Sequence, residues 1–336
     1  MTTTAEYLTQ LQTDMQTLKT NVSNKGVAVD NNDNFTTLVS KVASIPSGAS
    51  PDYASFYYCD AETLDVSWLD TSNITNMNYM FSNCSAIEEL DVSNFDTENV
   101  TNMSRMFTSC TALTELDLST FDTSSVTTMA SMFSGCSSLE TLDIDDFDYT
   151  DVTAMSSFLQ NTTSLGSINM VNKTFSAVTT FENFARQSGL QSIDLSGSTL
   201  GSQNQTTSFK QMFWYCADLE TADFSNTTFV NPSNFTQMFD GCSSLTTLDL
   251  SGIGTLTQGI ALTSMFGGCT SLTHIDLRNA DFSALTSGYN SMFGSSASNG
   301  VPNDCEIIVK DDTQKTWITS KFSRLTNVKT LAEYQS

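Results

Sequence analysis

One aspartate recurs along the sequence between two apolar residues: Asp65, Asp91, Asp117, Asp143, Asp194, Asp223, Asp249 and Asp276, with Asn169 standing once in its place. Carboxylates repeated at one register could bind cations, hold a ligand, or act as an acid and base pair. If the flanking residues form paired strands, neighbouring carboxylates sit about 4.8 Å apart. Two unit charges at that distance repel by about 1 kcal/mol in water and about 3.5 kcal/mol at an effective dielectric near 20. Such a row must be relieved by hydrogen bonds from nearby Ser and Thr, by bound cations such as calcium, or by partial protonation. Hydrogen-bonded aspartates ordering adjacent coils are the structural reading, and a cation-assisted ligand face is the functional one. Acid/base catalysis fits poorly, because a uniform row singles out no member.

Beside the aspartates, the exposed strand positions vary and include Glu89, Glu115 and His274. A face so rich in hydroxyls and carboxylates suits carbohydrate or a basic protein patch, although it lacks the aromatic platforms many glycan sites use. The eight cysteines suggest a redox framework until their spacing is read. Six follow three residues after a recurring Phe, so they stack once per coil with parallel Cβ vectors, which disfavours bridging. Buried free thiols are the expectation, and metal binding lacks close cysteine pairs or histidine partners. His274 is the single histidine, which removes most Ser-His, Cys-His and His-metal chemistry. With no glycine-rich phosphate loop after a strand, the chain reads as a non-enzyme without a required cofactor.

These residues recur because the chain does. Leu64-Asp65-Val66-Ser67 returns as Leu90-Asp91-Val92-Ser93 and Leu116-Asp117-Leu118-Ser119 at steps of 26. The register continues at Leu142, Ile168, Ile193, Ala222, Leu248 and Ile275, with steps of 26, 26, 25, 29, 26 and 27. A Met-Phe pair keeps the same period at 80–81, 106–107, 132–133, 212–213, 238–239, 265–266 and 292–293. Each unit predicts a short strand alternating apolar and polar, then a turn such as Phe95-Asp96-Thr97. Val100, Met103 and Phe107 follow at the spacing of one helical stripe, with Ser and Thr ahead of them as caps. One unit cannot bury its apolar face, so units must stack. The predicted fold class is an α/β repeat: a leucine-rich-repeat solenoid with a parallel strand ladder and short helical segments.

The units resemble the BspA-type leucine-rich repeats, of the form LDLSxFDTSxVTxMxxMFxxCxSL, from about residue 56 to 300. The match is tight in the first three and last four units. It thins between residues 160 and 210, where Phe158-Leu159 and Phe184-Ala185 replace Met-Phe, cysteine is missing and GSTLGSQNQTTS intrudes. This resemblance implies adhesion or surface recognition, since members are typically bacterial, protist or phage surface proteins.

The ends differ from the repeats. Leu8, Leu11, Met15, Leu18 and Val22 form an a/d seam, which predicts a coiled-coil-like helical stem that oligomerises. The segment AEYLTQLQTDMQTLKTNVSNKGVAVDNNDNFTTLVSKVASIP resembles the N-terminal part of tail-associated phage virion proteins, where it attaches a variable distal module to the particle. At the other end, Cys305–Val309 predicts a final strand and Asp311-Asp312 a capped helix bearing Trp317, Ile318 and Phe322. The expected division is 1–46 attachment and oligomerisation, 47–55 linker, 56–300 solenoid and 301–336 capping segment. A formal charge of −24 opposes nucleic acid and anionic membrane, both of which need Lys and Arg. No secretory leader or apolar run of membrane length is present, so the chain, read as full length, works without the general secretion route. The expected function is a phage virion protein, a tail fibre or other particle-surface component. It would be assembled in the host cytoplasm, bound to other virion proteins, a homotrimer, and would recognise a host-surface glycan or protein. The alternatives are a bacterial surface adhesin or interaction scaffold, and a non-binding decoration on a virion.

Overall fold

A three-residue strand is stable only when a neighbour completes its hydrogen bonds, and the 26-residue period supplies that neighbour at every turn of the chain. The computed structural model describes residues 56–336; the seam residues Leu8, Leu11, Met15, Leu18 and Val22 and the linker 47–55 lie outside those residues. Strands β1 (Ser167–Asn169), β2 (Ser192–Asp194), β3 (Thr221–Asp223), β4 (Thr247–Asp249), β5 (His274–Leu277), β6 (Glu306–Val309) and β7 (Val328–Thr330) pair in that order as one parallel sheet. Their register sets Ile168, Ile193, Ala222, Leu248, Ile275, Ile307 and Val328 in a single buried row. The earlier units extend the same face, where Thr63 bridges Glu89 in parallel and the Glu140 amide reaches the Thr114 carbonyl at 3.0 Å. A second ladder runs the length of the stack through Asn76, Asn102, Thr128, Ala154, Thr180, Ser208, Asn234 and Ala261. The architecture is a parallel-strand solenoid.

The expected helical segments are not helices. Across Met77–Cys84 the amides alternate between two destinations: Tyr79 to Ser104 O, Met80 to Met77 O, Phe81 to Met106 O, Ser82 to Tyr79 O and Asn83 to Thr108 O, at 2.7–3.2 Å. Every other amide closes a tight turn and the ones between bond the next coil. The third residue of alternate turns has positive φ, as at Tyr79 (62°), Asn83 (61°), Arg105 (58°) and Ser109 (60°), which type II turns require. The reason is geometric. An α-helix with side chains is about 10 Å across, whereas the strand side of each coil rises only about 4.8 Å. Turns stacked in register match that rise, so the stripe Val100, Met103 and Phe107 faces the core without a helix.

Ring stacking keeps the spacing on this side. Phe56, Phe81, Phe107 and Phe133 stack with centroids 5.4, 5.6 and 5.7 Å apart, and Phe213, Phe239, Phe266 and Phe293 continue at 5.5, 6.1 and 5.5 Å. The weak stretch in the repeat leaves no gap in the column. Phe158 and Phe184 occupy the Met position and reach the column from one residue earlier, so their rings meet Phe133 and Phe213 edge-on at 86° and 70°. The extra length of the 29-residue step lies in residues 201–206, between two segments that stay paired: Thr199–Leu200, with Thr174–Phe175 and Thr228–Phe229, and Thr207–Ser208, with Pro232–Asn234. None of the eight cysteines forms a disulfide, and all are buried. In six coils the thiol donates to a carbonyl of the preceding coil, for example Cys110 Sγ to Phe81 O at 3.1 Å and Cys136 Sγ to Phe107 O at 3.0 Å. Burial pushes the Cys110 thiol up to about 12 and Cys216 to about 11. Buried threonines add further coil-to-coil bonds: Thr97 Oγ1 donates to Asp122 O at 2.9 Å and accepts from Asp122 N at 2.7 Å.

The C-terminal cap has one strand more than expected. β6 is not the last, because β7 pairs beyond it. Helix α1 (Asp312–Lys321) starts at Asp311, which accepts from Gln314 N, and α2 (Leu331–Gln335) starts with a capping box between Thr330 and Glu333. Trp317 stacks on Phe282 at 4.9 Å and Phe322 meets Phe293 edge-on at 5.0 Å, so the cap closes the aromatic column. Both helices also pack against β7, the last strand of the sheet.

Two outcomes follow from this core. Phe107→Leu leaves a hole in the column and should cost about 2–3 kcal/mol in denaturant unfolding. Adding Met106→Phe, which copies Phe158-Leu159, should recover most of it; no recovery would show that the column is not filled from either position. Iodoacetamide at neutral pH should label none of the eight cysteines before unfolding and all eight after.

Candidate binding face

Each aspartate of the row is committed to its own coil. Oδ1 of Asp65, Asp91 and Asp117 accepts the amide two residues on, from Ser67, Ser93 and Ser119, at 2.9 Å. Asp143 accepts from Asp145 at 3.0 Å, and Asp194, Asp223 and Asp249 accept from Ser196, Ser225 and Ser251 at 2.8 Å. Asn169 makes the same turn with Val171 at 3.2 Å, so the position needs an acceptor oxygen rather than a charge. The Ser67 hydroxyl and amide hold Asp65 below the usual carboxylate value, and Ser93 does so for Asp91. For Asp117 the Ser119 amide leads and its hydroxyl follows. These three members of the row are relieved without protonation.

Five of the expected positions come together in one place. Glu89, Asp91, Glu115, Asp117 and Asp143, with Glu140 and Asp145, line an open groove of about 800 Å³ on the strand face. Glu89 and Glu115 are exposed, and no lysine, arginine or histidine is part of the lining. Asn169 bounds the groove and donates to Asp145 Oδ2 at 3.2 Å. Beyond it a second depression of about 550 Å³ takes in Asp194 and Asp223, where the flanking residues are hydroxyls. Asp65 and Asp249 lie outside both hollows.

The last members depart from the expectation of exposure. Asp276 is buried, 3% exposed, and pairs with Arg278, whose Nε lies 2.7 Å from Oδ2. The cause is the cap: β6 puts Ile308 beside Asp276 where every earlier coil has a polar residue. His274 is half-buried with Nδ1 2.9 Å from Glu306 Oε2, and Lys329 Nζ lies 2.7 Å from the other oxygen of the same carboxylate. Lys329 and His274 together hold Glu306 below its usual value. The face is therefore acidic toward its N-terminal coils and charge-paired at its C-terminal end. As for calcium, one of the ways to relieve the row, no group of three or more His, Cys, Asp or Glu among the described residues could hold a metal ion.

On the turn-built face stand exposed aromatics where no site was expected: Tyr58 and Tyr215. Their signal in the sequence was a Tyr at a position that elsewhere carries Asn, Ser, Gln or Gly. It was masked by the helical reading of that segment. Among the described residues no helix is long and apolar enough to cross a membrane.

The depressed carboxylates set a pH dependence. A group that binds its proton less tightly when folded adds stability that is complete above its unfolded pKa and is lost as pH falls through the folded one. The melting temperature should hold from pH 7 to about 5 and fall below about pH 4. The Asp91→Asn/Asp117→Asn variant keeps the acceptors without titrating and should fall less. Identical acid curves for the variant and the parent would remove the row from the explanation.

The sequence matches the family described as "Mycoplasma protein of unknown function, DUF285" over residues 53–170, 87–196 and 202–304. No curated protein matches the chain. Those three segments cover well over half of the residues and carry the strand, turn and Met-Phe registers described above, and the chain belongs to the DUF285 family.

Proposed function

We propose that the solenoid is a recognition module without catalytic activity, whose acidic strand face receives a ligand at a cell surface. The observation that carries this reading is the groove bounded by Glu89, Asp91, Glu115, Asp117 and Asp143. These carboxylates are held at fixed spacing by a rigid stack, so a ligand finds them already in place and loses less entropy on binding. Their sign suits a basic protein patch, and their acceptor oxygens suit the hydroxyls of a glycan. Ligands of opposite charge are also steered toward such a face at low ionic strength.

In this reading the module is a phage virion component, and residues 1–46 attach it to other virion proteins as a homotrimer. The support is the resemblance of the first 45 or so residues to tail-associated segments and the a/d seam at Leu8, Leu11, Met15, Leu18 and Val22. The match to a family described from Mycoplasma favours a second reading, a bacterial surface adhesin or scaffold. Neighbouring genes separate the two: tail and lysis genes belong with the first, surface-sorting genes with the second.

Binding of the labelled intact chain to host cells should fall about tenfold for Glu89→Gln/Glu115→Gln/Asp117→Asn and should weaken with added salt. Unchanged binding would remove the strand face from recognition. Light scattering should give a trimer for the intact chain and a monomer once residues 1–46 are deleted. A monomeric intact chain would defeat the attachment reading.

A further inference from the structure

The turn face changes character at the coils of Trp214 and Asp240. Tyr215 is 54% exposed and adopts a left-handed backbone, φ 57°, which an aromatic residue takes less readily than Gly or Asn. Asn161 and Gln187 hold the same left-handed position in the two preceding coils, and Gly241 and Gly268 in the two that follow. Since Asn, Gln and Tyr all accept this backbone here, glycine at 241 is a matter of room. A Cβ at Gly241 would come within 3.1 Å of the Tyr215 ring. The ring therefore lies over Gly241, in the space a side chain there would need, and the Asp240 carboxylate fills the corresponding space over Gly267 in the next coil.

The surroundings of this ring are set in advance. Trp214 meets Tyr215 edge-on at 4.7 Å, and the Arg186 guanidinium lies 4.2 Å from the centre of the Trp214 ring. Alongside runs a fixed polar row: Gln211 Nε2 donates to Gln237 Oε1 at 2.9 Å, and Gln237 Nε2 donates to Asp240 Oδ2 at 2.8 Å. The backbone amides are already used between coils, with Tyr215 N bonding Asp240 O at 2.8 Å and Gly241 N bonding Gly267 O at 2.7 Å. A peptide would find no free strand edge here, and a polyanion meets a chain of net charge −24. An exposed ring beside planar amide and carboxylate groups matches one ligand class well. The ring can cover the C–H face of a pyranose while the amides and carboxylate take its neighbouring hydroxyls.

We propose that Trp214, Tyr215, Gln237 and Asp240 form a binding site for a neutral saccharide, a β-linked pyranose with equatorial hydroxyls. The site rests on the reading of the solenoid as a recognition module but not on the strand-face groove, whose lining includes none of these four residues.

The intact chain titrated with N,N′,N″-triacetylchitotriose and with cellotriose should show a saturable change in tryptophan fluorescence with at least one of them. Saturation transfer from aromatic protons to the sugar ring should accompany it. Tyr215→Ala should weaken binding at least about tenfold, Gln237→Ala should weaken it too, and Tyr215→Phe should keep it because the ring remains. Glu115→Gln/Asp117→Asn should leave it unchanged. Tyr215 is exposed, so its variants should keep the parent circular dichroism and melting curve. Failure of both trisaccharides to bind at millimolar concentration would overturn the site, as would Tyr215→Ala binding like the parent. Binding lost only in the strand-face variant would overturn it and leave strand-face recognition standing.

Discussion

Every coil of this protein must rise by the same small step on both of its faces. On the strand face the step is the spacing of hydrogen-bonded strands, about 4.8 Å. The opposite face has to keep pace or the stack would splay. A helix is too thick to do so, and the chain instead runs through turns whose amides alternate between closing the turn and bonding the next coil. Left-handed residues at every fourth position, such as Tyr79 and Asn83, are the backbone consequence of that alternation.

A constant step also brings each kind of residue into a row with its own kind, and each row needs a physical solution. Phenylalanines solve it by stacking, and the column survives at Phe158 and Phe184 because a ring entering from the neighbouring position can turn edge-on. Thiols solve it by donating to carbonyls of the preceding coil, which leaves them buried and poor nucleophiles. Threonine hydroxyls both donate and accept between coils. Aspartates solve it locally, by bonding the amide two residues on within their own coil. The high hydroxyl content of the chain is thus part of how the coils are held together.

Where a row departs from its pattern, the surface acquires a distinct character. The strand face gathers carboxylates at Glu89, Glu115 and Asp143 and ends in the paired charges of Asp276, Arg278, Glu306 and Lys329. On the turn face the departure is aromatic, with Tyr215 leaning on Gly241. The two faces thus carry different chemistry on one stack of coils.

The spacing of Leu, Asp, Met-Phe and Cys determined that the chain stacks into a solenoid, which residues face inward, and that the cysteines are core residues, because period and alternation are one-dimensional properties that the fold only winds up. The N-cap at Asp311 was legible for the same reason. Only the tertiary structure decided that the Val100, Met103 and Phe107 stripe is a stack of turns, since the same 3- and 4-residue spacing serves a helix or a turn ladder until the pitch of the neighbouring coil is known. It also decided that Asp276 is buried, because the residue beside it, Ile308, comes from the non-repeating cap. The placing of Tyr215 over a glycine of the following coil was likewise beyond the reach of spacing, as the two meet only once coils 26 residues apart lie in contact.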